Sequence, residues 1–287
     1  MTTATAKIRG MDCHVNQWNL DPSKPPKALM IIFHGFLAHG NYPTVRYAAE
    51  FLSEEGYAAI SVDFPGHGKS PGDRGLIESA EILVQDGKAM VDYATGLFSD
   101  AATKPKLFLV GSSMGGAIAL SVAQTMPKDA IAGVLLLAPM LQLNVTSIER
   151  FALYGLSCVV PTMALIPSSA TDSIKQYRDE QKRKECDEDP LTVSGAKLKT
   201  SSALACVDIT HNIAEQFSKI ETPYLILVAD EDVVVKNAGS EKLFEQTPST
   251  TDKTKKHYPA LHGLLCEPSP LFDEIKKDML DWIQERV

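Results

Sequence analysis

The sequence predicts a doubly wound α/β fold, with a mostly parallel sheet and one inserted helical cap. Three observations predict it. Five short runs are dense in branched apolar side chains, amphipathic stretches alternate with them, and one long region between the fourth and fifth run contains no further run. Continuous apolar runs are typical of parallel strands that are buried on both faces, and their alternation with helices is typical of a doubly wound sheet.

Each predicted strand is short and bounded by turn residues. The five strands are predicted at 28–33, 58–62, 106–110, 133–137 and 224–228. The stretches between them carry apolar residues at helical spacing. Helices are predicted at 44–55, 80–98, 115–126, 241–246 and 272–286. Ser79 is predicted to cap the longest of them, and Pro127 to end the third.

Residues 141–222 interrupt this alternation. We find no convincing strand there, and residues 151–171 carry no charge. That stretch contains Pro161 and Pro167, which argue against a membrane-spanning helix, and it is followed by a highly charged segment. We therefore predict a core made of residues 1–140 and 223–287, with residues 141–222 inserted as a cap of short helices.

Composition excludes several classes of protein. The chain has 287 residues, of which 44% are hydrophobic and 22% charged, as in soluble globular proteins. Its net charge of −8 disfavours binding to nucleic acid or to anionic lipid. Contact with a membrane would therefore have to be made by apolar surface, and the uncharged part of the cap is the predicted place for such peripheral contact.

The cysteines predict neither a disulfide framework nor a zinc site. There are five, they are widely spaced, and none forms a Cys-x-x-Cys pair. The N-terminal residues show no apolar signal sequence. We therefore expect a reduced, cytoplasmic protein without a bound metal, and the sequence does not indicate its oligomeric state.

A catalytic motif follows the third predicted strand. The sequence Gly-Ser-Ser-Met-Gly-Gly occupies 111–116, directly after Val110 and before a helix of small residues. This is the nucleophile elbow of α/β-hydrolases in its strand–turn–helix context. The glycines leave room where side chains would collide, and the turn exposes Ser113 at the positive end of the helix dipole. A purely structural glycine-rich turn is the alternative.

A serine nucleophile needs a base, and the base needs an acid to orient it. In this fold the chain order is Ser, acid, His. Asp232 lies four residues past the strand that ends at Val228, in the loop where the acid is expected, and Asp230 is its competitor.

His262 is predicted as the base. It lies in a loop before the last helix, from which its ring could reach Ser113. His257, five residues earlier, is predicted as a structural histidine within a strand, and His67 and His211 are lesser rivals.

An oxyanion hole is predicted after the first apolar run. The backbone N–H groups of Phe36 and Met114 are assigned as its donors, and His34 as a hydrogen-bonding brace of the loop. A second segment, 63–70, ends in Gly-Lys-Ser, but Asp63 stands where a phosphate-binding loop needs glycine, so we interpret it as a structural turn.

These motifs resemble those of the monoacylglycerol lipase family of the α/β-hydrolase superfamily, which includes lysophospholipase-like and caffeoylshikimate-esterase-like members. The matching segments are 34–36, 63–70, 72–75, 111–116, 137–140, Asp232 and His262. The resemblance implies the triad Ser113, Asp232 and His262, with Phe36 and Met114 as oxyanion donors. The family pattern before the acid is His-Gly-x-x-Asp, whereas this chain has Val-Ala-Asp-Glu-Asp at 228–232.

The predicted function is a serine carboxylester hydrolase that releases fatty acid and glycerol from monoacylglycerols through an acyl-enzyme. Its partner is a small acyl ester, and no cofactor is required. A lysophospholipase, or a phenolic or short-chain esterase, is the alternative within the same chemistry. A serine peptidase or amidase and a non-catalytic binding protein with a hydrolase fold are the alternatives outside it.

Overall fold

The computed structural model describes residues 1–21, 23–98, 104–168, 172–193 and 197–287. Its strands, in chain order, are β1 (Thr2–Ile8), β2 (Met11–Trp18), β3 (Leu29–Phe33), β4 (Ala58–Val62), β5 (Leu107–Ser112), β6 (Gly133–Leu137), β7 (Ala164–Pro167), β8 (Lys197–Lys199), β9 (Tyr224–Ala229) and β10 (Lys253–Tyr258). Its helices are α1 (Pro43–Glu54), α2 (Ala80–Gly96), α3 (Met114–Ala123), α4 (Ser147–Val159), α5 (Ser173–Gln176), α6 (Glu180–Asp187), α7 (Thr200–Ala214), α8 (Ala238–Glu245) and α9 (Leu271–Gln284).

One large sheet forms the centre of the molecule. Its strand order is β1-β2-β4-β3-β5-β6-β9-β10. β2 is antiparallel to both β1 and β4, and the remaining pairs are parallel. The prediction of a mostly parallel α/β sheet is therefore confirmed, and all five predicted strands are present to within two residues at either end.

Helices cover both faces of this sheet. Apolar residues of α2, α3 and α7 pack on one face, and those of α1 and α9 pack on the other. The predicted cap of α2 is confirmed, since the Ser79 hydroxyl accepts a hydrogen bond from the N–H of Ile82 at 3.2 Å. Parallel strands all end at the same edge, so the loops after β3, β5, β9 and β10 meet there.

Residues between β6 and β9 form α4 to α7 and a small antiparallel sheet of β7 and β8. The prediction that this region holds no strand was wrong. The two strands have four and three residues, which is too short for an alternating pattern to be recognised.

The elements of this region differ in burial. α4 contributes no buried residue, whereas α7 packs on α2 and α3 with ten buried residues. Residues 169–171 of the uncharged stretch lie outside the described residues. Within the part of the chain that is described, no helix combines the length and the apolar character needed to cross a membrane.

Candidate active site

Ser113 lies at a sharp turn between β5 and α3. Its backbone has φ 56° and ψ −121°, in the left-handed half of conformational space that residues other than glycine rarely occupy. Gly111 makes this turn sterically possible, because a Cβ on Gly111 would lie 2.1 Å from the carbonyl oxygen of Gly115. The strained conformation is that of a nucleophile elbow, and it leaves Ser113 half-buried at the start of α3.

Neighbouring backbone groups hold the turn in place. The N–H of Ser113 donates to the carbonyl oxygen of Leu137 at 3.1 Å, and the carbonyl oxygen of Ser113 accepts from the N–H of Met140 at 2.8 Å. Both partners belong to β6 and the residues that follow it. The serine is therefore held against the edge of the sheet, although its own conformation is unfavourable.

Asp232 and His262 form a buried pair. Nδ1 of His262 lies 2.6 Å from Oδ2 of Asp232, and the two side chains are 5% and 0% exposed. Oδ1 of Asp232 accepts the N–H groups of Val234 at 2.7 Å and Val235 at 3.1 Å. A carboxylate only accepts hydrogen bonds, so Nδ1 of His262 donates and Nε2 is left with a free lone pair that can take a proton.

The competing carboxylate bonds a different histidine. Oδ1 of Asp230 lies 2.7 Å from Nδ1 of His257, which is in β10. Both side chains are more than two-fifths exposed. His67 is buried near the end of β4, and His211 is exposed on α7. The structure thus joins Asp232, and not Asp230, to the histidine of the loop after β10.

Ser113 and His262 line one cavity of about 110 Å³. The hydroxyl of Ser113 makes no hydrogen bond to any described residue, so no hydrogen bond joins it to His262 in this structure. In enzymes without substrate such contacts are often long and tighten only when the substrate binds. Phe36, Met140, Val234 and Val235 also line this cavity, which makes it predominantly apolar.

The N–H groups of Phe36 and Met114 are available as donors. Phe36 lies in the loop after β3, and Met114 is the first residue of α3, whose N–H has no partner within the helix. Among the described residues, neither N–H donates a hydrogen bond. Both N–H groups are therefore free to bind an external acceptor.

His34 joins the loop after β3 to the end of β4. Its Nε2 accepts the N–H of Phe64 at 3.1 Å, so Nδ1 carries the proton and donates to the carbonyl oxygen of Gly35 at 2.8 Å. Burial, together with the neighbouring ring of His67, holds the pKa of His34 well below its ordinary value. His34 therefore stays neutral and braces the loop that carries Phe36.

The segment 63–70 is a structural turn that contacts His34 through the N–H of Phe64. Asp63 is buried, and its two oxygens accept the N–H groups of Gly40 at 2.6 Å and Lys69 at 2.7 Å. A side chain on Gly68 would lie 2.1 Å from Oδ2 of Asp63. The glycines of this segment thus allow the backbone to close around a carboxylate, where a phosphate would be repelled.

The residues of this cavity that no sequence motif identifies include four with polar side chains. Tyr42, Gln176, Tyr177 and Thr192 line it, and the hydroxyls of Tyr42 and Tyr177 are 2.7 Å apart. Three of them come from the inserted region. No motif marks them, because their approach to Ser113 depends on how that region packs.

The described residues form no metal site, and a further groove lies away from Ser113. No three His, Cys, Asp or Glu side chains in the described part of the chain are placed to hold a metal ion. A groove of about 750 Å³ runs between α4 and α7, and neither Ser113 nor His262 lines it.

The chain is similar in sequence to known proteins along most of its length. The model of the family "Serine aminopeptidase, S33" matches residues 24–269. The monoglyceride lipase of Rattus norvegicus is 26% identical over 93% of this chain and 85% of its own, and the monoacylglycerol lipase of Mycolicibacterium smegmatis is 26% identical over 97% and 95%.

A solved structure agrees with these sequence matches. The monoacylglycerol lipase of Paleococcus ferrophilus superposes with a TM-score of 0.80 at 25% identity, over 96% of this chain and 100% of that one. The family model alone covers well over half of the sequence. The chain therefore belongs to the serine aminopeptidase S33 family and is a monoglyceride-lipase-like member of the α/β-hydrolase fold.

Proposed function

We propose that the chain is a monoacylglycerol lipase in which Ser113 is the nucleophile, His262 the base and Asp232 the acid that orients the base. One observation carries this proposal. The hydrogen bond of 2.6 Å from Nδ1 of His262 to the fully buried side chain of Asp232 lies at the cavity that Ser113 also lines. The relatives that match along almost the whole chain hydrolyse monoacylglycerols by name.

The first half of the reaction transfers the acyl group to the enzyme. Nε2 of His262 takes the proton of Ser113 while Oγ attacks the ester carbonyl carbon. The N–H groups of Phe36 and Met114 bind the resulting oxyanion, and each such donor contributes about 3 kcal/mol of transition-state stabilisation. The ester C–O bond then breaks, the leaving oxygen takes the proton from His262, and glycerol departs.

The second half returns the enzyme to its starting state. A water molecule gives a proton to Nε2 of His262 and attacks the acyl-enzyme carbonyl, with the oxyanion bound as before. The bond to Ser113 then breaks, Oγ recovers the proton, and the fatty acid leaves. The protons balance within the triad, so these steps need no cofactor.

Residues 141–222 act in this proposal as a cap over the core. Gln176, Tyr177 and Thr192 from this region line the cavity beside Ser113. The cap therefore contributes to the choice of substrate. None of the described residues that line the cavity is Asp or Glu, so no carboxylate there can bind the free amine of a peptide. This favours an ester over an aminopeptidase substrate.

A substrate panel tests the proposal. Monoacylglycerols, lysophospholipids, phenolic esters and amino-acid anilides are compared with the wild-type enzyme and with Ser113→Ala. We expect the highest kcat/KM with monoacylglycerols, a loss of at least about 10³-fold in the variant, and fluorophosphonate labelling of the wild type alone. Unchanged turnover by folded Ser113→Ala would contradict the triad, and a preference for anilides would contradict the substrate.

We further propose that α4 brings the enzyme to a neutral lipid surface, as a peripherally bound cytoplasmic protein. Ile148, Phe151 and Val159 lie along one side of α4 and are 82%, 78% and 78% exposed. The net charge of −8 argues for binding through apolar contacts and not through charge. Phosphatidylcholine vesicles should therefore bind the wild type more strongly than Phe151→Glu.

The control for this experiment is Val287→Glu. Val287 is 45% exposed beyond the end of α9, far along the chain from α4. Both variants replace an exposed apolar side chain by one negative charge, on α4 in one case and beyond α9 in the other. Equal vesicle binding by the two variants would contradict a role for α4 in membrane contact.

A further inference from the structure

A single side chain of the cap contacts both loops that carry the proposed acid and base. Arg178 lies between α5 and α6. Its Nη2 is 3.0 Å from Oε1 of Glu231 and 3.3 Å from the carbonyl oxygen of Pro259, and its Nε is 3.1 Å from Oε2 of Glu267. One planar guanidinium thus has partners on the loop after β9 and on the loop after β10, a geometry that a flexible single ammonium does not reproduce.

The contact with Glu267 extends to the residue next to His262. The side chain of Glu267 is 1% exposed, and its Oε1 accepts the N–H of Leu261 at 2.7 Å. A buried carboxylate without a cationic partner is strongly unfavourable, so the ion pair with Arg178 holds the carboxylate of Glu267 in place. Glu267 thus links the side chain of Arg178 to the backbone of Leu261, which precedes His262.

The contact with Glu231 acts on the other loop. Glu231 immediately precedes Asp232, and its N–H donates to the carbonyl oxygen of Ala260 at 3.0 Å. Besides the bond between His262 and Asp232, the loops are therefore joined through this backbone bond and through the side chain of Arg178. Glu231 is half-exposed, so its ion pair with Arg178 serves alignment more than stability.

The residues before Arg178 hold His262 from its other side. The carbonyl oxygen of Gln176 accepts the N–H of Gly263 at 2.8 Å. A Cβ on Gly263 would lie 2.5 Å from the ring of Tyr177, so the two segments are in direct contact. The backbone on both sides of His262 is thus connected to residues 176–178 of the cap.

From these contacts we propose that Arg178 is a positioning residue of the hydrolase, which fixes the loops of Asp232 and His262 relative to each other when the cap is seated. The proposal rests on the roles given above to Asp232 and His262. Proton transfer depends steeply on the alignment of base and nucleophile, and a misplacement of about 1 Å can cost on the order of 10²-fold in rate. Arg178 should therefore affect kcat and not substrate binding.

A second ion pair provides the matched control. Arg46 of α1 bonds Glu185 of α6, so it also joins core to cap through a guanidinium and a carboxylate. It touches neither catalytic loop. If Arg178 merely fastened the cap, Arg178→Ala and Arg46→Ala would have the same effect.

The experiment compares wild type, Arg178→Ala, Arg178→Lys and Arg46→Ala on a short soluble ester and on a monoacylglycerol. For Arg178→Ala we expect kcat to fall by roughly 10- to 100-fold with KM changed less than about threefold. Arg178→Lys keeps the charge and should fall in between, whereas Arg46→Ala should stay within about twofold of wild type. The Nδ1 proton of His262, followed by ¹H NMR, should shift or broaden in Arg178→Ala and remain unchanged in Arg46→Ala.

Equal kcat values for the two alanine variants, or a change confined to KM, would overturn the positioning role. If Arg178→Ala does not fold, Glu231→Ala replaces it, because truncation of this half-exposed side chain removes only the contact with the acid loop. A wild-type kcat in folded Glu231→Ala would then overturn the proposal. Activity retained by Ser113→Ala would instead overturn the triad, so the two failures are distinguishable.

Discussion

Gly115 lies so close to Phe33 that a Cβ on Gly115 would be 2.0 Å from the carbonyl oxygen of Phe33. This contact joins α3 to β3, the strand that leads into the loop of Phe36. Backbone, and not a flexible side chain, occupies the space, so any larger residue must push the helix away from the sheet. The second glycine of the elbow therefore sets the distance between the two elements that carry the proposed oxyanion donors.

We expect Gly115→Ala to destabilise the fold and to abolish activity. Overpacking of this kind costs about 1–3 kcal/mol, and more where backbone has to move. Gly155→Ala is the control, since no atom lies within 4 Å of a Cβ at Gly155 in α4, and alanine there should add roughly 0.5–1 kcal/mol to helix stability. Urea denaturation measures both variants. Equal free energies of unfolding for the two would contradict this account.

The two aspartates after β9 should differ sharply in their effect on turnover. Asp232→Asn leaves His262 without the acceptor that fixes its Nδ1 proton, so we expect kcat to fall by on the order of 10³-fold or more. Asp230→Asn removes the same charge from a pair with His257 that lies outside the cavity, so kcat should stay within about twofold. Steady-state kinetics on one ester compares them. A larger loss of kcat in Asp230→Asn than in Asp232→Asn would show that Asp230 is the acid of the triad.

The sequence predicts the parts of the fold that have a strong local pattern. β4 and β6 consist entirely of buried residues and appear at their predicted bounds, because strands covered on both faces need continuous apolar sequence. The hairpin of β1 and β2 was not predicted. Only part of each of its strands is buried, so polar residues interrupt the apolar pattern on which the prediction depends.

The candidate site also has parts that a local sequence pattern predicts and parts that it does not. Ser113 can be identified from the sequence because the elbow is a local motif, in which strand, glycine spacing and helix are contiguous. The contacts of Arg178 with Glu231 and Glu267 join segments that lie 53 and 89 residues apart in the chain. No periodicity or spacing encodes such contacts. They follow only from the packing of residues 141–222 on the rest of the chain.

The cysteines should differ in their reaction with iodoacetamide. Cys158 is exposed on α4, whereas Cys206 is buried in α7, where burial raises the pKa of its thiol to about 12. Only an accessible thiolate reacts, and the other four cysteines are all buried, so at pH 8 we expect one modified cysteine per native chain and five after unfolding. Mass spectrometry locates the label, and Cys158→Ser is the control that should remain unlabelled. Rapid labelling of Cys206 in the native protein would contradict its burial.

Two buried histidine rings make stability depend on pH. His67 is fully buried, and burial lowers the pKa of its ring from 6.5 to about 4. Its Nε2 has no hydrogen-bond partner among the described residues, so a second proton on the ring would be left unpaired. His34 changes the stability in the same direction, because burial also lowers the pKa of its ring. The one ring nitrogen without a proton, Nε2, already accepts the N–H of Phe64.

Acid should therefore destabilise the protein in a defined pH range. The pKa of His67 is lower in the folded than in the unfolded chain, so the unfolded chain binds more protons between pH 6.5 and 4. The stabilising contribution is present above pH 6.5 and is lost as the pH falls towards 4. Between pH 6.5 and 4.5 we expect His67 alone to lower the free energy of unfolding by about 2 kcal/mol.

Urea denaturation measures this free energy across the same pH range. We expect it to fall less steeply with acid in His67→Gln than in wild type. In the control His211→Gln, which replaces an exposed ring on α7, it should fall as in wild type. Identical slopes for His67→Gln and wild type would show that the ring is already protonated, or accessible to water, in the folded state.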